Sequence, residues 1–161
     1  MPELEKSAQQ VVYEVKTLFG QVEALYSGVF ARRHPVHLAL VEASLVHLRL
    51  LDEFCFRQQT TQKHLDVFAR QYLPTWTSDG FLDAETRSAI NAQVQHLPER
   101  RVAGYQWPFG DLVRSCSNEL MRFIDELHVV SPDRAAWFSP CVEAVAWIER
   151  RLEEDLDPEG S

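Results

Sequence analysis

The stretch Leu4-Glu-Lys-Ser-Ala-Gln-Gln-Val-Val-Tyr-Glu-Val-Lys-Thr-Leu-Phe-Gly-Gln-Val-Glu-Ala-Leu-Tyr-Ser-Gly-Val29 decides the fold class. Its apolar positions Leu4, Ala8, Val11, Val15, Leu18, Val22, Leu25 and Val29 alternate steps of four and three, which places them on one stripe of a long helix. Val12, Phe19 and Tyr26 add a flanking row, so the stripe is wider than a two-helix seam. The expectation is a helix that packs on several partners or crosses a subunit boundary, weakened locally by Gly20 and Gly28.

Working outward, Arg32-Arg33-His34-Pro35 breaks the pattern, and Pro35 suits the first turn of a second helix over about 35 to 57, apolar nearly all round and therefore central. Thr60 or Thr61 can cap a third helix running to Tyr72, with Leu65, Phe68 and Tyr72 inward and Pro74 ending it. Thr75-Trp-Thr-Ser-Asp-Gly80 reads as a loop with an exposed tryptophan. Asp83 is the expected cap of a fourth helix to about Leu97. A fifth runs from about Asp111 to His128, with Leu112, Cys116, Leu120, Phe123 and Leu127 on one face. Ser131-Pro132 and Ser139-Pro140 then open a short helical turn and a last helix to about Leu156. With no repeat and no convincing strand, the class is all-α: a single-domain bundle of five to six helices over 1–157, with 158–161 a disordered tail.

The 161 residues suffice for one core, and 45% hydrophobic with 25% charged residues is ordinary globular composition. The formal net charge of -8 opposes general attraction to phosphate backbones. The pairs Arg32-Arg33, Arg100-Arg101 and Arg150-Arg151 are too short to form a nucleic-acid signature. Cys55, Cys116 and Cys141 are odd in number, lack Cys-x-x-Cys spacing and lie among apolar residues, as reduced core thiols of a cytoplasmic protein do. Neither a signal-peptide core nor a membrane span is legible.

Two polar constellations sit in this apolar background. Glu42, His47, Arg49 and Asp52 occupy Val41-Glu-Ala-Ser-Leu-Val-His-Leu-Arg-Leu-Leu-Asp-Glu-Phe54, and Asn91, His96 and Arg100 occupy Ile90-Asn-Ala-Gln-Val-Gln-His-Leu-Pro-Glu-Arg100. Burying such groups costs free energy unless partners are supplied. Glu42 and Arg49, seven apart, share a meridian, with Asp52 able to join Arg49, whereas His47 lies about 140° round, in apolar company. Arg87 and Asn91 are adjacent on one face of the fourth helix. The commoner role of each is structural: a hydrogen-bonded core histidine, a surface ion pair, an exposed amide. If the second and fourth helices pack together, Glu42, His47, Arg49, Asn91, His96 and Arg100 can line one polar pocket.

Metal and cofactor chemistry find no motif. Glu-x-x-His, His-Glu-x-x-His and His-x-x-x-His are absent, as are a glycine-rich phosphate loop and Gly-x-Ser-x-Gly. A metal site and a cofactor are therefore not expected.

The pattern of Glu42, His47, Arg49 and Phe54 followed by Asn91, His96, Leu97 and Arg100 resembles an uncharacterised family of small bacterial all-helical proteins, loosely similar to HEPN-type helical domains. The resemblance spans roughly residues 38 to 105. Catalytic HEPN members cleave RNA with Arg-x(4 to 6)-His. Arg32 with His37, Arg57 with His64 and Arg122 with His128 match that spacing, and the last pair lies late in a helix, with Phe123 where a polar residue usually follows the arginine.

The resulting expectation is a cytoplasmic, homodimeric binding or interaction module with a pocket between the second and fourth helices, taking a small ligand or a protein partner. Nucleic acid is disfavoured by the charge. The rival expectation is a metal-independent ribonuclease in which Arg122 and His128 of two copies meet across a dimer interface.

Overall fold

A computed structural model describes residues 3–32, 34–57, 67–95 and 107–156, and its regular elements are all helical. They are α1 (Glu3–Tyr26), α2 (Pro35–Phe56), α3 (Ala69–Tyr72), α4 (Ala84–Gln95), α5 (Phe109–Val130), α6 (Pro132–Ala135), a 3-10 turn (Ala136–Phe138) and α7 (Ser139–Leu156). The fold is an all-α bundle with a long first helix. The expected tail at 158–161 lies outside the described residues, as do Thr60, Thr61, Leu65, His96 and Arg100.

Local chemistry sets the helix ends. Ser27 N–H donates to the Glu23 carbonyl, and Gly28 at φ 66° takes the left-handed conformation that ends α1. His34 is extended and its Nδ1 accepts from Val36 N–H at 3.2 Å, with Pro35 following in the first turn. Asp83 Oδ1 accepts from Thr86 N–H at 2.6 Å and caps α4. These bonds to Thr86 hold the Asp83 carboxyl below its ordinary range.

The order along the bundle follows from pairs of side chains. Glu14 meets His47 and Gln21 meets Ser44, so α1 and α2 are antiparallel. Arg151 reaches Glu23 while Glu143 and Trp147 lie level with Lys16 and Gly20, so α7 runs parallel to α1. The apolar rows of α1, Val11, Val15, Leu18 and Val22 with Phe19, are buried within one chain, chiefly against α2 and α7. The width of the stripe is thus satisfied without a second subunit, and Val29, past the helix end, is exposed.

Phe54, Tyr72, Trp76, Phe123 and Phe138 form an aromatic knot where α2, α3, α5 and the 3-10 turn meet. Phe123 stands edge-on to Phe54 at 5.3 Å, to Trp76 at 5.4 Å and to Phe138 at 5.3 Å. Such pairs contribute about 0.5–1.5 kcal/mol each beyond area burial. Two expectations are corrected here. The helix ending at Tyr72 begins at Ala69, because Phe68 is extended and its N–H donates to the Gln71 side chain. Trp76 is 1% exposed, with its indole N–H donating to the Cys55 carbonyl at 2.8 Å. An indole so satisfied can be buried from a loop.

Candidate functional site

The two polar faces of α2 serve different neighbours. His47 Nδ1 lies 2.5 Å from Glu14 Oε2 on α1, with both side chains 14% exposed. Gln10 Nε2 donates to the other Glu14 oxygen at 3.2 Å, so the glutamate is tied from two sides. Ser44, a turn earlier, donates to the Leu40 carbonyl at 2.7 Å and lies 3.3 Å from Gln21 of α1. His47 is therefore a tie between α1 and α2.

The opposite edge of α2 carries Asp52, which is 1% exposed and faces α4 and the loop before it. Its Oδ1 accepts from Phe81 N–H at 2.8 Å and Leu82 N–H at 2.9 Å. Arg87 Nε donates to Oδ2 at 2.5 Å and Nη2 to Oδ1 at 3.2 Å. Arg87 also donates to the Asp79 carbonyl and lies over the Phe56 ring at 4.5 Å. Donation to Asp52 raises the guanidinium pKa, outweighing its partial burial. The loop passes close enough that a Cβ at Gly80, which has φ 83°, would collide with both the Asp52 carboxylate and the Arg87 guanidinium.

This placement corrects the expected grouping. Asp52 pairs with Arg87, and Arg49 pairs with Glu53 of its own helix at 3.0 Å. Glu42 is half-buried on α2. Asn91 is half-buried on α4, and its carboxamide oxygen is buried with no hydrogen-bond partner among the described residues. His47 and Asn91 are not brought together, because α1 covers the side of α2 that His47 occupies. The His96 and Arg100 positions expected beside them lie outside the described residues. A groove of about 910 Å³ instead adjoins Glu14, between α1 and α2, with Lys6, Gln10, Glu53 and Arg57 on its walls.

Arg122 and His128 are also separated. Arg122 Nε and Nη2 donate to Glu119 at 3.1 and 2.6 Å, Nη1 to Glu126 at 3.1 Å, and Nη2 to the Thr77 carbonyl at 3.2 Å. Its guanidinium stacks on Trp76 at 4.0 Å. These bonds, Glu119 first, raise its pKa. His128 is exposed in the last turn of α5, about 120° round the helix from Arg122 and about 9 Å along it. One copy does not place the two side by side.

Comparison of the chain with family models, with curated proteins and with solved structures found no match.

The chemistry available at these clusters is that of ties. Asp52 accepts four hydrogen bonds with its two oxygens, so the carboxylate is engaged within the fold. Cys55, Cys116 and Cys141 are free and buried. Burial pushes all three thiols up, Cys141 to about 12, so they stay protonated and poorly nucleophilic near neutrality. No group of three His, Cys, Asp or Glu side chains among the described residues is arranged to hold a metal, and no described helix is long and apolar enough to cross a membrane.

Reading the residues alone missed Glu14, Arg87 and Gly80 as partners. Asp52 was visible as a carboxylate in core-like sequence, and that was the available signal for the clamp. Its partner, 35 residues on, carried no signal beyond its place on the Asn91 face.

Proposed function

We propose that this chain is a cytoplasmic helical-bundle interaction module that works as a homodimer and binds a small ligand or a protein partner. The observation that supports this reading is the use made of its chemistry-bearing side chains. His47 is held by Glu14, Asp52 by Arg87 and two loop N–H groups, and Arg122 by Glu119, Glu126 and Trp76. Groups committed in this way stabilise a scaffold.

The ligand position proposed between α2 and α4 is at Asn91, whose carboxamide oxygen is buried without a hydrogen-bond partner among the described residues. Acidic partners on Arg49, Arg57, Arg87, Arg122 and Arg151 reduce the attraction to phosphate backbones, in line with the net charge. The three free, buried thiols support the cytoplasmic part of the reading.

The test is turnover. The purified protein, incubated with single-stranded and hairpin RNA, is expected to leave both intact. Cleavage that disappears in both Arg122→Ala and His128→Ala would overturn the module reading in favour of a ribonuclease.

A further inference from the structure

Among the described residues eight large apolar side chains are exposed, and four of them crowd the turn between α1 and α2: Tyr26 (44%), Val29 (73%), Val36 (41%) and Leu38 (49%). The same stretch is set apart by charge. The chain carries 24 acidic residues in 161, yet none falls between Glu23 and Glu42, where Arg32, Arg33, His34 and His37 stand instead. Arg32 is exposed and has no carboxylate partner among the described residues, whereas Arg49, Arg57, Arg114, Arg122 and Arg151 each meet one. An acidic protein thus ends, at one tip, in aliphatic side chains and uncompensated cations.

We propose that this tip docks on an anionic phospholipid surface without crossing it. Charge complementarity supplies the first argument, since a lipid leaflet rich in anionic headgroups attracts cations that no protein carboxylate neutralises. The second is depth. Counted at 1.5 Å per residue from the Gln21 contact with Ser44, Tyr26 lies about 8 Å, Leu38 about 9 Å and Val36 about 12 Å toward the tip. The apolar band is therefore about 5 Å deep, comparable with the shallow burial of interfacial segments, and Tyr26 stands at its base, where an aromatic ring with a polar end suits the headgroup level.

The third argument separates a bilayer from a protein partner. Val36 and Leu38 are two residues apart, about 200° round α2, and both are exposed. One face of a partner protein reaches one side of the helix, whereas a tip immersed in lipid has apolar surroundings on every side. Aliphatic side chains also offer no ring on which a base could stack, which sets single-stranded nucleic acid aside. Glu153 and Glu154 of α7 come level only with Tyr26, behind the tip, and Glu154 is held by Arg151 at 2.7 Å.

Flotation of the full chain with vesicles tests the proposal. The protein is expected to float with vesicles of equal parts phosphatidylcholine and phosphatidylglycerol, to stay behind with phosphatidylcholine alone, and to bind less as salt is raised. Val29→Asp should abolish flotation, and Arg32→Gln should weaken it about fivefold. Both side chains are exposed, so both variants should melt with the wild type, which separates lost docking from lost folding. The three native thiols are buried, so an environment-sensitive fluorophore on Val29→Cys reports the tip alone and should shift its emission to shorter wavelength on the anionic vesicles. Flotation that is unchanged in Val29→Asp and Arg32→Gln, or that leaves the fluorophore unmoved, overturns the proposal by placing the contact elsewhere. A wild-type chain that floats with neither vesicle also overturns it, and hands the tip to an acidic, apolar protein partner.

Discussion

Asp52 on α2 and Arg87 on α4 are joined through both carboxylate oxygens, and the aspartate is 1% exposed where the arginine side chain is 28% exposed. The asymmetry has a reason. The carboxylate also holds the Phe81 and Leu82 N–H groups, so it must sit inside, while the guanidinium caps it from the rim. The pair fixes the loop between Trp76 and Asp83 against α2 and sets where α4 begins.

Breaking such a pair leaves an uncompensated group, so Asp52→Ala and Arg87→Ala should each cost about 3 kcal/mol or more of stability. Because both remove the same interaction, the double variant should cost well under the sum, with a coupling of about 2 kcal/mol. Denaturant unfolding of the four proteins measures it, and additive losses would show that the clamp carries little energy.

Two glycines should respond to alanine with opposite signs. Gly20 is helical with open space at its Cβ position, so Gly20→Ala should raise the stability of the folded monomer by about 0.5–1 kcal/mol. Gly80 has φ 83°, and a Cβ there would meet Asp52 and Arg87, so Gly80→Ala should lower stability by more than that gain. Thermal melts at a low protein concentration that disfavours association are the measurement. Equal signs would contradict the packing described for one of the two sites.

Much of the bundle was legible because helix starts are local chemistry. Pro35, Asp83, Pro132 and Pro140 act within a turn of themselves, and the stripe of α1 records its own burial. What was illegible depends on groups distant in sequence. Trp76 looked exposed because nothing near it shows that the Cys55 carbonyl will take its N–H. Its burial is decided across 21 residues. The third helix looked longer because Thr60 and Thr61 are good caps in principle, whereas extended Phe68 sets the described start at Ala69. The site expectation went astray at His47 for a related reason. Its angular separation from Glu42 was readable, but which neighbour covers that side of α2 was not, and the answer is Glu14 of α1.

The His47 contact with Glu14 should be worth its hydrogen bond and its packing. His47→Ala is expected to cost about 1–3 kcal/mol, and Glu14→Ala less, since Glu14 lies at the edge of an open groove. His47→Gln, which keeps a donor, should recover part of the loss. Urea unfolding of the three variants decides it. A His47→Ala protein as stable as the wild type would mean that the tie contributes nothing and would return His47 to the list of groups kept for binding.

Stability should fall on the alkaline side, and the sign follows from the buried acids. Cys55, Cys116 and Cys141 are thiols whose burial raises them above the ordinary value of 9.0, Cys141 to about 12, and Tyr72 is raised above 10.0 for the same reason. Each group is protonated in both states below its unfolded pKa, so the contribution is fully present there. Above it the unfolded chain releases protons that the folded one retains, and stability drops as pH climbs from about 9 toward 12. The slope per group approaches about 1.4 kcal/mol per pH unit. Urea midpoints measured from pH 7 to 10.5 should hold level and then fall beyond pH 9. Replacing Cys141 by alanine should lower the whole curve through the cavity it leaves, yet make the alkaline fall shallower. A midpoint that stays level to pH 10.5 would show that these thiols are reached by water in the folded protein.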